Sequence, residues 1–291
     1  MNNIGLALAG GGMQGVAHIG AIKALNELGI QPNYISGTSS GSIFASMYAM
    51  GYTTEEMLAV VKEYYTELIN IEKIPIAKAI GTYLMQKEVK IGGLIKGEKI
   101  EELVEKIAKK KKVKNIADIK MPLAIPTVDT ISAKECIAIS KKYDLKDDDI
   151  EYIYDIPVAT AVRASMAFPG IYTTCNFKKY NFIDGGTKDN LPVKILRDIG
   201  AKKIIALSFD ITKYIPSNNI LSILLRAVDI FSLKDVRNAQ KLADVVIEIQ
   251  NDDTSLLQTD NLQKCFQIGY DTIMKNKEKI EKLKDTASCK N

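Results

Sequence analysis

Two strand–turn–helix units follow one another in the first fifty residues of the chain. Residues 4–9 are a short apolar run that ends in a glycine loop, and residues 16–28 continue with apolar side chains at helical spacing. Residues 34–36 form a second strand pattern, followed by a second glycine-flanked turn and a helix-like segment at 42–50. Strands that alternate with helices predict an α/β fold, a mostly parallel central sheet with helices on both faces.

The same alternation extends along the rest of the chain. Further strand patterns occur at residues 123–128, 136–139, 182–183, 204–209 and 245–249. Further helical patterns occur at residues 53–69, 100–107, 157–166, 191–199 and 220–242, before a lysine-rich C-terminal helix pattern. With 291 residues and 46% hydrophobic content, we expect a single domain, residues 1–291, with a motif-bearing core at about 4–210.

Composition argues against several classes of protein. The chain shows no signal-peptide pattern and no apolar stretch long enough to span a bilayer. A net charge of +4 is too small to favour nucleic acid binding. The cysteines lack the spacing of a zinc site or of a disulfide framework; they are Cys136, Cys175, Cys265 and Cys289. We therefore expect a cytoplasmic protein.

Ser39 is the candidate nucleophile. It is the central residue of the run Gly37-Thr38-Ser39-Ser40-Gly41, which has the G-x-S-x-G pattern of a nucleophile elbow. In this tight strand-to-helix turn, Gly37 and Gly41 permit a strained backbone that leaves the serine hydroxyl exposed. A serine hydroxyl is a weak nucleophile, so that a base must lie within hydrogen-bond reach.

The glycine loop Gly10-Gly11-Gly12-Met13-Gln14-Gly15 has two functional interpretations. Its G-x-G-x-x-G spacing matches the dinucleotide fingerprint, which also requires an acidic residue at the end of the second strand. That strand ends in Ile35-Ser36-Gly37 and has no carboxylate. Consecutive amides at a helix N-terminus can instead hold the oxyanion that forms when a serine attacks an ester. The missing acid favours a hydrolase over a dinucleotide-binding oxidoreductase, and a purely structural turn is the third interpretation of the loop.

The chain has one histidine, whose position is typical of a structural residue. His18 lies on the apolar face of the first predicted helix, and it precedes Ser39, whereas the histidine of an α/β-hydrolase triad follows its serine. Asp184 is the better candidate base, because it follows an apolar run and because Gly185 and Gly186 leave room for close approach. Desolvation would raise its pKa toward the value that a base requires, although an ordinary β-turn would have the same local sequence.

These motifs, in this order, resemble the patatin-like phospholipase family. The resemblance covers about residues 4–210 and includes the runs Ala17-His18-Ile19-Gly20, Ala164-Ser165-Met166-Ala167-Phe168-Pro169 and Asn190-Leu191-Pro192-Val193. It implies a three-layer patatin-like fold and a Ser-Asp dyad, with Ser39 as nucleophile and Asp184 as base. We expect an oxyanion hole from the backbone of Gly10, Gly11, Gly12, Met13 and Gly15 with the amide of Ser40. One departure is Gln14, where family members commonly carry Arg or Lys.

The resemblance implies a lipid acyl hydrolase, of the phospholipase A or lysophospholipase type, that forms an acyl-enzyme. We expect neither calcium nor another metal or cofactor in this reaction. A small-ester esterase, a thioesterase or an acyltransferase would use the same dyad, and a catalytically silent lipid-binding module is a further alternative. The expected partner is a phospholipid or another acyl-lipid, reached through peripheral and transient contact with the inner membrane surface.

Candidate membrane-facing segments are residues 74–95, the lysine cluster at 109–114 and the apolar helix at 220–231. The first has no clean period and is predicted to be a cap segment. For the other two we favour structural explanations. Lysines at a helix C-terminus complement the helix dipole, and an apolar helix is usually buried in the core.

Overall fold

The fold is a sheet of nine strands covered by helices, within the part of the chain that this computed structural model describes, residues 3–69, 96–210, 220–250 and 261–285. The strands are β1 (Ile4–Leu8), β2 (Tyr34–Gly37), β3 (Leu123–Asp129), β4 (Glu135–Ile139), β5 (Ile150–Ile153), β6 (Cys175–Phe177), β7 (Tyr180–Asp184), β8 (Lys203–Phe209) and β9 (Val245–Ile249). The α-helices are α1 (Ala17–Glu27), α2 (Ser40–Ala49), α3 (Thr54–Ile69), α4 (Glu98–Lys110), α5 (Val158–Ser165), α6 (Val193–Asp198), α7 (Ile220–Leu242), α8 (Asn261–Lys275) and α9 (Lys277–Asp285).

The sheet is mostly parallel, with the strand order β5-β4-β3-β2-β1-β8-β9. Parallel pairs join β1 to β2 and β8, β2 to β3, β4 to β5, and β8 to β9. β3 is antiparallel to β4 and to β7, and β7 forms a hairpin with β6. The predicted α/β class with a mostly parallel sheet is therefore confirmed.

The side chains of β1 divide the interior into two cores. Leu6 and Leu8 point into the core that contains residues of α1, α2, α4, α5 and α8. Ala7 points into the opposite core, which contains Leu196 of α6 and Val236 of α7. All of β1 is buried, as expected for a parallel strand with helices on both faces. This arrangement is the predicted three-layer architecture.

Two short strands, β5 and β6, were not predicted from the sequence. β5 is an edge strand in which only Ile153 is buried, and β6 contains three residues. Neither has the continuous apolar run or the strict alternation that identifies a buried strand. The predicted pairing of residues 123–128 with 136–139 is confirmed by the antiparallel register of β3 and β4.

The prediction that the apolar helix at 220–231 is buried is wrong for part of α7. Ile223, Ile230 and Phe231 are 49%, 55% and 76% exposed. α7 has 23 residues and so rises about 34 Å, whereas the adjacent β8 has 7 residues and spans about 23 Å. Near the end of α7, Gln240 Nε2 donates to Ser208 Oγ, close to the carboxyl end of β8, over 3.2 Å, so that the preceding turns of the helix extend past the sheet, where no core covers their outward-facing apolar side chains.

The other two candidate membrane-facing segments have different outcomes. Residues 74–95 lie outside the described residues. In the lysine cluster, Lys109 and Lys110 occupy the last turn of α4, where they complement the helix dipole, as the structural explanation predicts for these two residues. Of the helices that the structure describes, none has both the length and the apolar character needed to cross a bilayer.

The candidate functional motifs meet at one edge of the sheet. β1, β2, β3 and β8 are parallel neighbours, so that their carboxyl ends lie at the same edge. The glycine loop follows β1, and the turn that contains Ser39 follows β2. Asp184 ends β7, where it pairs with Thr127 near the carboxyl end of β3. In open parallel sheets, the carboxyl edge is where ligands bind.

Candidate active site

Ser39 occupies a sharp turn between β2 and α2. Its backbone has φ 52° and ψ −126°, a conformation that is uncommon for a residue with a side chain. A Cβ atom on Gly41 would lie 2.6 Å from the carbonyl oxygen of Leu8, and a Cβ atom on Gly37 would collide with the carbonyl group of Gly41. Only glycine fits at these two flanking positions. The G-x-S-x-G pattern therefore allows the tight turn that exposes the side chain of Ser39.

Ser39 and Asp184 are in direct contact although they are 145 positions apart in the chain. Ser39 Oγ donates a hydrogen bond to Asp184 Oδ2 over 2.7 Å. The second carboxylate oxygen, Oδ1, accepts the amide of Gly186 over 2.7 Å. Asp184 is 2% exposed, whereas Ser39 is partly exposed, so that solvent and ligands reach this pair from the serine side.

Burial controls the charge of Asp184. It raises the pKa of this carboxyl group to about 7, against the opposing effect of the hydrogen bonds from Ser39 and Gly186, which stabilise the carboxylate. A carboxylate with a pKa near 7 is a stronger base than an exposed aspartate, and a large part of it is still ionised at neutral pH. The pair can therefore transfer a proton from a serine hydroxyl to a carboxylate.

The glycine loop lies against Ser39, since a Cβ atom on Gly10 would come within 3.0 Å of Ser39 Cβ. The amide of Gly10 donates to the carbonyl oxygen of Asn190 over 3.2 Å. The amide of Gly11 donates to Ser40 Oγ over 3.2 Å. These two amides stabilise the loop itself, which departs from the prediction that they contribute to an oxyanion hole.

Other amides at this edge lie at helix N-termini, where intrahelical acceptors are lacking. Gly12 and Met13 begin the 3-10 helix Gly12–Val16, and Ser40 begins α2. Gly12 has φ +55°, in the left-handed region that favours glycine. Gly15 has a packing role, because a Cβ atom there would lie 2.7 Å from Ser40 Oγ. The amides of Gly12 and Met13 in the loop, and of Ser40 in the turn at Ser39, are therefore the candidate donors to an anion.

Sequence reasoning assigned no role to two further parts of the site. Ser165, buried at the end of α5, accepts the Ser39 amide on its Oγ over 2.9 Å. Thr38 Oγ1 donates to the carbonyl oxygen of Asp189 over 2.8 Å, next to the residue, Asn190, that binds the Gly10 amide. Ser165 and Thr38 belong to runs that resemble the family, and Asp189 directly precedes another. A single sequence, however, does not reveal which hydrogen bonds these groups form.

His18 is fully buried in α1, as predicted for a structural residue. Its Nε2 donates to the carbonyl oxygen of Ala9 over 2.9 Å, directly before the glycine loop. Its ring centroid lies 4.9 Å from that of Phe209 and 6.5 Å from that of Phe44. Burial lowers the pKa of His18 to about 4, so that the ring is neutral at pH 7. Its hydrogen bond and ring contacts make it part of the packing beneath the loop.

The described residues contain no group of three or more His, Cys, Asp or Glu side chains arranged to hold a metal ion. Cys136, Cys175 and Cys265 are buried free thiols, and Cys289 lies outside the described residues. The chemistry that the described geometry offers at this edge consists of a hydroxyl, a carboxylate and backbone amides.

Comparison with known families agrees with this geometry. Residues 6–197, which include the glycine loop, Ser39 and Asp184, match the family model Patatin-like phospholipase. The chain belongs to the patatin-like phospholipase family. Membership of this family supports lipid ester hydrolase activity. It therefore favours the hydrolase interpretation of the glycine loop over the dinucleotide-binding one.

Three similar proteins illustrate the range of this family and fold. YqhO of Bacillus subtilis, an uncharacterized protein, is 26% identical over 211 residues, which cover 69% of this chain and 69% of YqhO. Patatin-like phospholipase domain-containing protein 6 of Homo sapiens is 28% identical over 208 residues, covering 71% of this chain but 13% of that protein. The crystal structure of VipD from Legionella pneumophila has a TM-score of 0.50 at 13% identity, covering 94% of this chain and 66% of VipD. The likeness to VipD shows a shared fold.

Proposed function

We propose that this protein is a lipid acyl hydrolase, of the phospholipase A or lysophospholipase type, with Ser39 and Asp184 as its catalytic dyad. The observation that carries the proposal is the 2.7 Å hydrogen bond from Ser39 Oγ to the buried carboxylate of Asp184. Membership of the patatin-like phospholipase family supports a lipid ester as the substrate. A nucleophile, its base and nearby amide donors are the components that acyl transfer requires.

In the first step, Ser39 Oγ attacks the carbonyl carbon of the acyl ester while Asp184 accepts the hydroxyl proton. The carbonyl oxygen becomes an oxyanion, which we assign to the amides of Gly12, Met13 and Ser40. Collapse of the tetrahedral intermediate breaks the ester C–O bond, and Asp184 returns its proton to the leaving alcohol oxygen. The products are a lysolipid or another alcohol and an acyl group esterified to Ser39.

In the second step, water attacks the acyl-enzyme while Asp184 accepts a proton from it. Collapse of the second intermediate releases the fatty acid, and the proton passes from Asp184 to Ser39 Oγ. The cycle consumes one water and returns both residues to their starting states. Nucleophile, base and charge stabilisation all come from the protein, and we therefore propose that hydrolysis needs no calcium and no cofactor.

The dyad is tested with a fluorophosphonate probe, which labels activated serine nucleophiles covalently. We expect labelling of the wild type and none of Ser39→Ala. The matched control is Ser46→Ala in α2, because Ser46 Oγ is buried and has no hydrogen-bond partner among the described residues. This control should be labelled like the wild type, whereas persistent labelling of Ser39→Ala would refute the nucleophile.

The substrate class is tested by fatty acid release from phospholipids, lysophospholipids and glycerides, with and without a calcium chelator. We expect release from at least one lipid class at the same rate in both conditions. Loss of activity on chelation, reversed by added calcium, would show that the proposed mechanism is incomplete.

A further inference from the structure

Exposed large apolar side chains are concentrated near the edge of the sheet that carries Ser39. Five such side chains occur among the described residues: Ile131, Ile223, Ile230, Phe231 and Leu242. Ile131, which is 72% exposed, lies in the turn beyond the carboxyl end of β3. The next three lie between the first turn and the middle of α7, the helix between β8 and β9 in the chain. Only Leu242, at the end of α7, belongs to the opposite edge.

The contacts of its C-terminal end show the direction of α7. The carbonyl oxygen of Leu242 accepts Arg197 Nη2 over 3.0 Å. Two residues later, Asp244 Oδ2 accepts the amide of Ile204, at the start of β8, over 2.7 Å. Near the end of α7, Gln240 Nε2 donates to Ser208 Oγ, close to the carboxyl end of β8, over 3.2 Å. Phe231 lies about 14 Å before Gln240 along the helix axis, so that the helix from Phe231 back to its first turn extends beyond the carboxyl edge. Its exposed apolar residues therefore lie on the side to which Ser39 opens.

The two apolar elements lie on opposite sides of the candidate active site. In the strand order β3-β2-β1-β8, the turn with Ile131 follows β3, and α7 follows β8. The strands between them, β2 and β1, lead into Ser39 and into the glycine loop. A flat apolar phase that contacted both elements would thus cover the opening at Ser39.

The outward face of α7 changes from apolar to basic along the helix. Ile230 and Phe231 are followed on this exposed face by Lys234 and Arg237. Along the axis, Lys234 lies about 5 Å and Arg237 about 9 Å beyond Phe231. Asp235 is an exposed acidic residue between them. Apolar side chains followed by cations within two turns are complementary to a membrane interface with anionic headgroups.

We propose that this surface docks the protein on a lipid bilayer that contains anionic lipids. The apolar docking edge, which consists of Ile131, Ile223, Ile230 and Phe231, enters the boundary between headgroups and acyl chains. The two cations that follow on α7 contact the lipid phosphates. The proposal rests on the proposed function, because its consequence is delivery of a bilayer ester to Ser39.

Docking is measured by sedimentation with vesicles in a Ser39→Ala background, which prevents lipid breakdown during the assay. We expect binding to vesicles of phosphatidylcholine with phosphatidylglycerol, and weaker binding at higher salt. Phe231→Ser should lower the partition coefficient about tenfold, because the apolar contact area is lost. Leu242→Ser is the matched control on the same helix at the opposite edge, and it should bind like its parent. Absence of vesicle binding, or equal losses in the two variants, would overturn the proposal.

The contribution of the cations is tested with Lys234→Gln and Arg237→Gln. Each should weaken binding to the anionic vesicles about fivefold and leave binding to pure phosphatidylcholine vesicles unchanged. Equal effects on both vesicle types would contradict the headgroup contact. A concentration-dependent dimer that Phe231→Ser abolishes, in a protein that binds no vesicles, would show that the edge docks a second copy of the chain instead.

A soluble short-chain ester separates this proposal from the proposed function. We expect Phe231→Ser, with Ser39 intact, to hydrolyse this ester like the wild type and to lose about tenfold in activity on vesicles. If the wild type hydrolyses neither substrate, the proposed function fails while vesicle binding still decides the docking surface. If Phe231→Ser loses activity on the soluble ester to the same extent, the residue acts on the active site and the docking proposal fails.

Discussion

Burial has opposite effects on two titratable side chains beside the glycine loop. It raises the pKa of Asp184 to about 7 and lowers the pKa of His18 to about 4. The cause is the same in both regions, because a low-dielectric interior disfavours the charged form of any side chain. For the carboxyl group, burial strengthens the anion as a base. For the imidazole, burial disfavours the protonated form, and the neutral ring packs against its neighbours.

The partners of the two side chains separate them further. Asp184 accepts the hydroxyl of Ser39, which is partly exposed, so that its proton exchange connects to the surface. His18 donates to the backbone carbonyl of Ala9 and lies between the rings of Phe44 and Phe209. Equal burial thus produces a candidate catalytic base in one region and a structural contact in the other, according to what each side chain touches.

The largest expected difference between the two regions is in activity. Asp184→Asn should lower kcat/KM for ester hydrolysis by roughly 10³–10⁵-fold, because an amide does not accept the Ser39 proton. His18→Gln should retain most of the activity, because a glutamine amide can still donate to the Ala9 carbonyl. Both are measured as fatty acid release by folded protein, checked by circular dichroism. An inactive but folded His18→Gln, or an active Asp184→Asn, would reverse the assignment of the base.

A second difference is in acid stability. Because the folded pKa of His18 is lowered from 6.5 to about 4, the neutral form stabilises the fold above pH 6.5, and this stability is lost as the pH falls toward 4. We expect His18 to account for about 3 kcal/mol of the decrease in the free energy of unfolding over this range. Urea unfolding of wild type and His18→Gln at pH 7.5 and pH 4.5 measures it. An equal decrease in both proteins would show that His18 is not the group responsible.

The pH dependence of activity should follow the ionisation of Asp184. Its ionised form is the base, so that kcat/KM should rise about tenfold per pH unit below 7 and reach a plateau above it. A soluble ester is the suitable substrate, since it removes any pH effect on membrane binding. A profile whose rise is centred near pH 4 would mean that the carboxyl group has an ordinary pKa in the working enzyme.

The smallest expected effect concerns the support of the nucleophile. Ser165→Ala removes the acceptor of the Ser39 amide and should lower kcat about tenfold with little change in KM, through poorer positioning of Ser39 Oγ. Ser46→Ala is the control for loss of a buried hydroxyl that makes no hydrogen bond among the described residues. An unchanged kcat in Ser165→Ala would show that the backbone of the turn holds Ser39 without this bond.

Local patterns were sufficient to predict the elements around the site. Residues 34–50 carry a strand, a glycine-flanked serine and a helix, and the structure has β2, the turn and α2 there. The short strands β5 and β6 escaped prediction, because edge strands need no continuous apolar run. The exposure of Phe231 also escaped prediction, since it depends on where α7 lies beside β8 and not on the apolar pattern of the helix.

The sequence by itself determined the candidate nucleophile, the glycine turns and the scarcity of histidine, because these depend on residue identity and local spacing. Tertiary structure decided which groups meet. It brings Asp184 to Ser39 across 145 positions, binds the amides of Gly10 and Gly11 to Asn190 and Ser40, and places Ser165 behind the nucleophile. It also decides the two pKa values, since desolvation depends on everything packed around a side chain and not on its neighbours in sequence.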